Sequence, residues 1–162
     1  MTEHMQEQIL EAFRLDLVLA GTSAGDRVRA EGFNSRPVGE LPAIDIDAGE
    51  ETRADTTRGL GGQSTVVREF MVHVSCMATG STGRAARAMA MELQARVEER
   101  MGSPAPGLLS GLLRERPRLM GVRRQTDDAG AQPFYTVHSV WLCRYITAEG
   151  APRGPAPSST HP

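Results

Sequence analysis

The sequence predicts an α+β fold: a mainly antiparallel mixed sheet with two main helices packed on one face, plus a long β-hairpin arm. Three stretches carry this expectation. Residues 65–77 read TVVREFMVHVSCM, with Phe70, Val72, Val74 and Cys76 at period 2 and Val66 and Arg68 continuing that row. Val67, Glu69, Met71, His73 and Ser75 form the second row, so one face is apolar and the other mixed, as in a half-buried strand. From Arg84 the period lengthens to about 3.6, and Ala86, Met89, Ala90, Leu93 and Val97 make one stripe of a helix. Residues 134–147 then carry Tyr135, Val137, Trp141, Cys143 and Tyr145 in one row and Val140, Leu142 and Ile146 in the other, which suits a strand inside the sheet.

The remaining elements follow in chain order. Met5, Ile9, Leu10, Phe13 and Leu17 predict a helix over 3–19, with Thr2 placed to cap it and Gly21 to end it. RVRAE at 27–31 reads as a short strand, and Pro37 and Gly39 bend the chain after it. Ile44 and Ile46 alternate with Asp45 over 43–47, a second strand. Residues 48–64, AGEETRADTTRGLGGQS, have no apolar period and separate two strands, which suggests an extended hairpin arm. Ser81 or Thr82 can cap the helix over 84–101, and Gly102 is placed to end it in the left-handed conformation. Leu108, Leu109, Leu112 and Leu113 suggest one or two buried helical turns. A strand over 119–126 and the turn Asp127-Asp128-Ala129-Gly130 lead into the last strand.

At 162 residues the chain suits one domain, here 1–147 with the arm at about 48–64, followed by a flexible Pro/Gly/Ser-rich tail over 148–162. Aromatic residues are only 4% of the total, so aliphatic side chains, Ala and Met must fill most of the core. The net charge of −2 gives no global pull toward nucleic acid or membrane. No apolar run is long enough to span a bilayer, and the N-terminus lacks a signal-peptide layout, so synthesis in a reducing cytoplasm is expected. Cys76 and Cys143 fall inside predicted strands and read as buried thiols.

The residues point away from catalysis. His4, His73, His138 and His161 share no ligand spacing, and no zinc-protease, CxxC, nucleophile-elbow or Walker pattern occurs. Gly59-Leu60-Gly61-Gly62 is not followed by Lys-Ser/Thr and reads as a loop. Asp45, Asp47, Glu50 and Glu51 have the oxygen ligands a hard cation wants, but a solvated acidic stretch is the simpler reading. No enzyme activity, metal or cofactor is therefore expected. Arg114, Arg116, Arg118, Arg123 and Arg124 suit either phosphates or the acids of a neighbouring subunit. Aromatics for base stacking are not interleaved with them, which favours the subunit.

The order of elements resembles a family. A first helix, RVRAEGFNSRPVGELPAIDID, a polar arm, REFMVHVSCMA, AARAMAMELQARVEERM and a closing hairpin are similar to the tail terminator and minor tail proteins of long-tailed phages and related phage-like particles. The most telling piece is Asn34-Ser35-Arg36-Pro37 leading to Glu40-Leu41-Pro42-Ala43-Ile44. The resemblance covers about residues 5–147 and does not account for the arginine stretch or the tail. It implies a structural virion protein at the head-proximal end of the tail. There a homo-oligomeric ring, usually a hexamer, caps the tail tube, ends its growth and forms the head–tail joining surface. The alternative is a head-completion or adaptor protein of the same particle. The implied partners are other copies of the chain, the tail tube protein, head–tail connector or adaptor proteins, and genomic DNA passing through the lumen without specific binding. The expected subunit-interface or lumen residues are Glu50, Glu51, Arg53, Asp55 and Arg58 of the arm, with Arg114, Arg116, Arg118, Arg123 and Arg124. Acids of the arm that faced the lumen would repel the DNA backbone.

Overall fold

A computed structural model describes residues 4–31, 36–58, 64–127 and 132–155. The elements are α1 (Met5–Leu19), β1 (Val28–Arg29), a 3-10 turn at Val38–Glu40, β2 (Ala43–Arg58), β3 (Ser64–Thr79), α2 (Gly83–Gly102), α3 (Leu109–Leu112), β4 (Arg118–Asp127), β5 (Phe134–Ala148) and β6 (Ala151–Pro155). The α+β expectation holds. Six strands form one sheet in the order β1-β2-β3-β5-β4, with β6 on the end of β5. All pairings are antiparallel except β1 with β2.

The expected hairpin is present. Residues 48–58 prolong β2 and pair with β3 as far as Arg58↔Ser64. Strand β5 backs β3 over the same length, from Thr79↔Phe134 to Thr65↔Ala148. The hairpin is therefore part of the sheet wall; its tip, with Gly59-Leu60-Gly61-Gly62, lies outside the described residues. Two register shifts, between Ala48 and Glu51 and between Arg53 and Asp55, break the strict alternation of β2. Gly49 sits in the first shift because a Cβ there would stand 2.8 Å from the Met71 carbonyl oxygen and 2.6 Å from the His73 ring.

The expected flexible tail also needs correction at its start. Residues 151–155 form β6, which folds back on β5 through Ala148↔Ala151 and Thr147↔Pro155 after Gly150 turns with φ of 78°. Residues 156–162 lie outside the described part, as do Thr2 and most of the turn at 127–130.

Both main helices lie on one sheet face, hereafter the helical face. Phe70, Val72, Val74, Cys76 and Ala78 of β3 meet Val137, Trp141, Cys143 and Tyr145 of β5 in a single core with Ile9, Phe13 and Leu17 of α1. Helix α2 adds Ala86, Ala90, Leu93, Val97 and Met101, with Gln94 buried beside them. Met89, expected on this stripe, is exposed on its flank. Thr82 caps α2, its Oγ1 accepting from the Ala85 N–H at 3.1 Å. Gly102 stays helical and Ser103 closes the helix, whereas Gly21, at φ of 64°, does follow α1 in the left-handed region. His4 caps α1, its Nδ1 accepting from the Gln6 N–H. Helix α3 buries Leu109 beside α1, the single turn expected from the leucines.

Candidate functional site

The face away from the helices carries a polar row in register across five strands: Arg29, Asp45, Ser75, His138 and Arg123. Asp45 is 1% exposed and accepts from Arg36 Nη2 at 2.6 Å and Nε at 2.9 Å, with Arg29 Nε at 3.3 Å. The Arg36 side chain is itself only 2% exposed. Arg36 thus fastens the chain just before β2 to that strand. Asp45 is engaged by two guanidinium groups and is not available as a cation ligand. Among the described residues no group of three or more His, Cys, Asp or Glu side chains gathers as a metal site.

Next in the row, Ser75 Oγ and His138 Nδ1 share a hydrogen bond of 2.7 Å. Burial holds the His138 pKa below the usual histidine value, and the neighbouring His73 pushes the same way. A Ser–His contact is half of a nucleophilic arrangement. Here Ser75 is 1% exposed and the carboxylate next to it in the row is held by Arg36 and Arg29. The pair is best read as internal hydrogen bonding on a sheet. Cys76 and Cys143 are free and buried, and burial pushes both thiols up to about 12.

The sequence-predicted residues separate into three groups. Glu51 turns inward to the helical face, opposite Phe70. It accepts from Arg68 Nη1 at 2.6 Å, Gln6 Nε2 at 2.5 Å and the Tyr145 hydroxyl. This ties β2, β3, β5 and the first turn of α1 together, so Glu51 is a structural anchor and not a lumen charge. Glu50, Arg53 and Asp55 are exposed along β2, with Arg53 joined to Glu149 at 3.2 Å. The Arg58 side chain lies outside the described residues.

The arginines are likewise divided. Arg114 and Arg116 lie before β4; Arg116 Nη1 donates to the Gly102 carbonyl at 3.4 Å. Arg114 lines a shallow depression together with Asp55, Glu69, Glu115 and Arg144, which brings one arm acid and one cluster arginine to the same place. Arg118, Arg123 and Arg124 stand exposed on β4, with no acid between them and Thr126 and no ion pair among the described residues. Met120 and Val122, on the same strand, are 48% and 41% exposed.

Both long edges of the sheet are open. Among the described residues no strand pairs with the outer side of β2 from Ile46 to Arg58, nor with the outer side of β4. Such rows of unpaired N–H and C=O groups are templates for another strand. Sequence reasoning expected a hairpin arm over 48–64 but not that its first strand leaves an open sheet edge, and it missed Asp16. Asp16 is wholly buried in α1 and accepts from Arg100 Nε at 2.6 Å and the Ala105 N–H at 3.0 Å, joining α1 to the end of α2.

The Glu51 cluster gives a pH-dependent prediction. Burial alone would raise its carboxyl, but hydrogen bonds from Tyr145, Gln6 and Arg68 outweigh burial and hold its pKa below the usual carboxylate value. A carboxyl depressed in the folded state stabilises the protein above its unfolded pKa and loses that contribution as pH falls through the folded pKa. Urea unfolding of the parent and Glu51→Gln is therefore expected to show a stability gap at pH 7 that closes below pH of about 4. A gap constant down to pH of about 3 would contradict this assignment.

No protein-family model and no curated protein matches the sequence. Among solved structures, the chain is similar to one from "Virion of native gene transfer agent (GTA) particle", at 17% identity and a TM-score of 0.40, covering 89% of this chain and 96% of that one. A likeness at that score carries no functional argument.

Proposed function

We propose that this chain is a structural virion protein of a phage-like particle. It assembles with copies of itself into a closed ring on the end of the tail tube, ends tube growth and offers the surface to which the head side joins. The observation that carries this reading is the open sheet: both long edges are unpaired among the described residues, while the helices occupy one face only. A subunit of a closed ring needs two different surfaces that complement each other head to tail, and strand edges supply them. The tail-end role and the hexameric count come from the resemblance carried by the order of elements and the segment Asn34 to Ile44.

The test is made on particles. Deleting the gene from its source element is expected to give overlong, headless tail tubes beside filled heads in negative-stain electron microscopy. Tails of normal length that fail to join heads, or heads that leak DNA, would replace the terminator role by the head-completion role. Intact, infectious particles would overturn both.

A further inference from the structure

We infer that neighbouring copies pair edge to edge: the arginine-bearing outer edge of β4 in one copy lies against the acidic outer edge of β2 in the next, so that one sheet runs on from subunit to subunit. This rests on the ring-forming reading above and specifies its contact.

Strand direction comes first. Steps β2–β3, β3–β5 and β5–β4 are all antiparallel, so β2 and β4 run in opposite directions within one chain. Two copies in the same orientation therefore present β4 and β2 to each other as antiparallel strands. Length agrees as well. Strand β4 has 10 residues, and β2, of 16 residues, is covered by β1 only at Ile44 and Asp45. Because Arg123 lies level with Asp45 through His138 and Ser75, the next copy is shifted along the strand direction so that β4 meets the free stretch of β2 beyond Asp45.

Charge selects this pairing over the alternatives. The β4 edge carries Arg118, Arg123 and Arg124 with no acid through Thr126. The β2 edge carries Asp47, Glu50 and Asp55, while its Glu51 is engaged by Arg68 and its Arg53 by Glu149. A two-fold pairing of β4 with β4 would set arginines against arginines, and β2 with β2 acids against acids; like charges facing across a ladder are unfavourable. Only the head-to-tail combination brings opposite charges together. It would also cover Met120 and Val122, whose exposure on an isolated edge strand is otherwise unexplained. Continuing the sheet in this way keeps every α1 and α2 on one wall. The opposite wall is then lined by the face that holds Met71, His73, His138 and Val140.

Two full-length variants test the contact by sedimentation velocity. The Arg118→Glu, Arg123→Glu, Arg124→Glu triple makes both edges acidic; Glu50→Arg with Asp55→Arg makes both basic. Each alone is expected to remain monomeric at concentrations where the parent associates. An equimolar mixture is expected to associate, because each variant then meets its complement on both sides. Raising the salt from about 0.05 M to about 0.5 M should weaken that association by on the order of tenfold. Circular dichroism and thermal melts matching the parent establish that the variants are folded, and an Arg→Gln triple serves if the reversal is not. A folded mixture that stays monomeric, or either variant associating alone as the parent does, would overturn the edge pairing. Particle morphology on gene deletion decides the ring reading separately, so the contact can fail while that reading stands.

Discussion

Asp45→Ala is expected to lower the unfolding free energy by about 3–5 kcal/mol, measured by urea denaturation at pH 7. The truncation leaves the Arg36 guanidinium, 2% exposed, without its buried counter-charge. It also frees Arg29, which is one-third exposed and can turn to water at little cost. Most of the loss therefore belongs to Arg36. Total stabilities of single domains are about 5–15 kcal/mol, so the variant would be marginal at best. The double replacement Arg36→Met with Asp45→Leu should recover most of the loss, since apolar side chains of similar volume often substitute for a buried ion pair. A loss below about 1 kcal/mol for Asp45→Ala would mean that Arg36 finds water or another acceptor. The expected outcome gives Arg36 a folding role: it holds the residues leading into β2 against that strand.

Phe70→Ala should cost a similar amount, about 3–5 kcal/mol, for a different reason. Phe70 is wholly buried on the central strand, between Glu51 on β2 and Cys143 on β5. A ladder on each side holds the backbone there, so the surroundings cannot collapse into the space a ring vacates. Phe70→Leu is expected to lose less than half as much, because it keeps most of the volume. Denaturation midpoints with an unchanged denaturant slope would check both values. Equal losses for Leu and Ala would mean that ring shape, and not volume, sets the cost.

Legibility followed burial. Strands β3 and β5 and helix α1 were readable because one or both of their faces are apolar at the right period. Residues 48–58 were readable as part of a hairpin but not in how far their strand runs along the sheet, because β2 leaves the core after Ile46 and most of its side chains there are exposed polar groups. Their strand conformation comes from backbone pairing with β3, which leaves no side-chain signature. The Glu51 anchor was invisible for a related reason: Gln6 lies 45 residues before it and Tyr145 lies 94 after. Local sequence shows an acid among acids, and only the fold shows which one turns inward. Met89 fits a helical stripe by spacing, but α2 rests on the sheet along Ala86, Ala90, Leu93 and Val97 with Gln94 to one side, and Met89 falls on the outer flank.

The placement of β5 in the sheet has a consequence for biosynthesis. Strand β3 pairs on one side with β2, which leaves the ribosome before it, and on the other with β5, which leaves well after it. At roughly 5–20 residues per second, β3 waits several seconds with one edge bare. Helix α2 emerges directly after it and can cover its apolar face meanwhile, but a helix on the face does nothing for the edge. The charged pair Arg68 and Glu69 in the first half of β3 interrupts what would be a long aggregation-prone run. The half from Phe70 to Met77 has no such interruption beyond His73. That half is where a nascent chain, stalled or truncated before Phe134, would be captured by a chaperone or by another nascent copy.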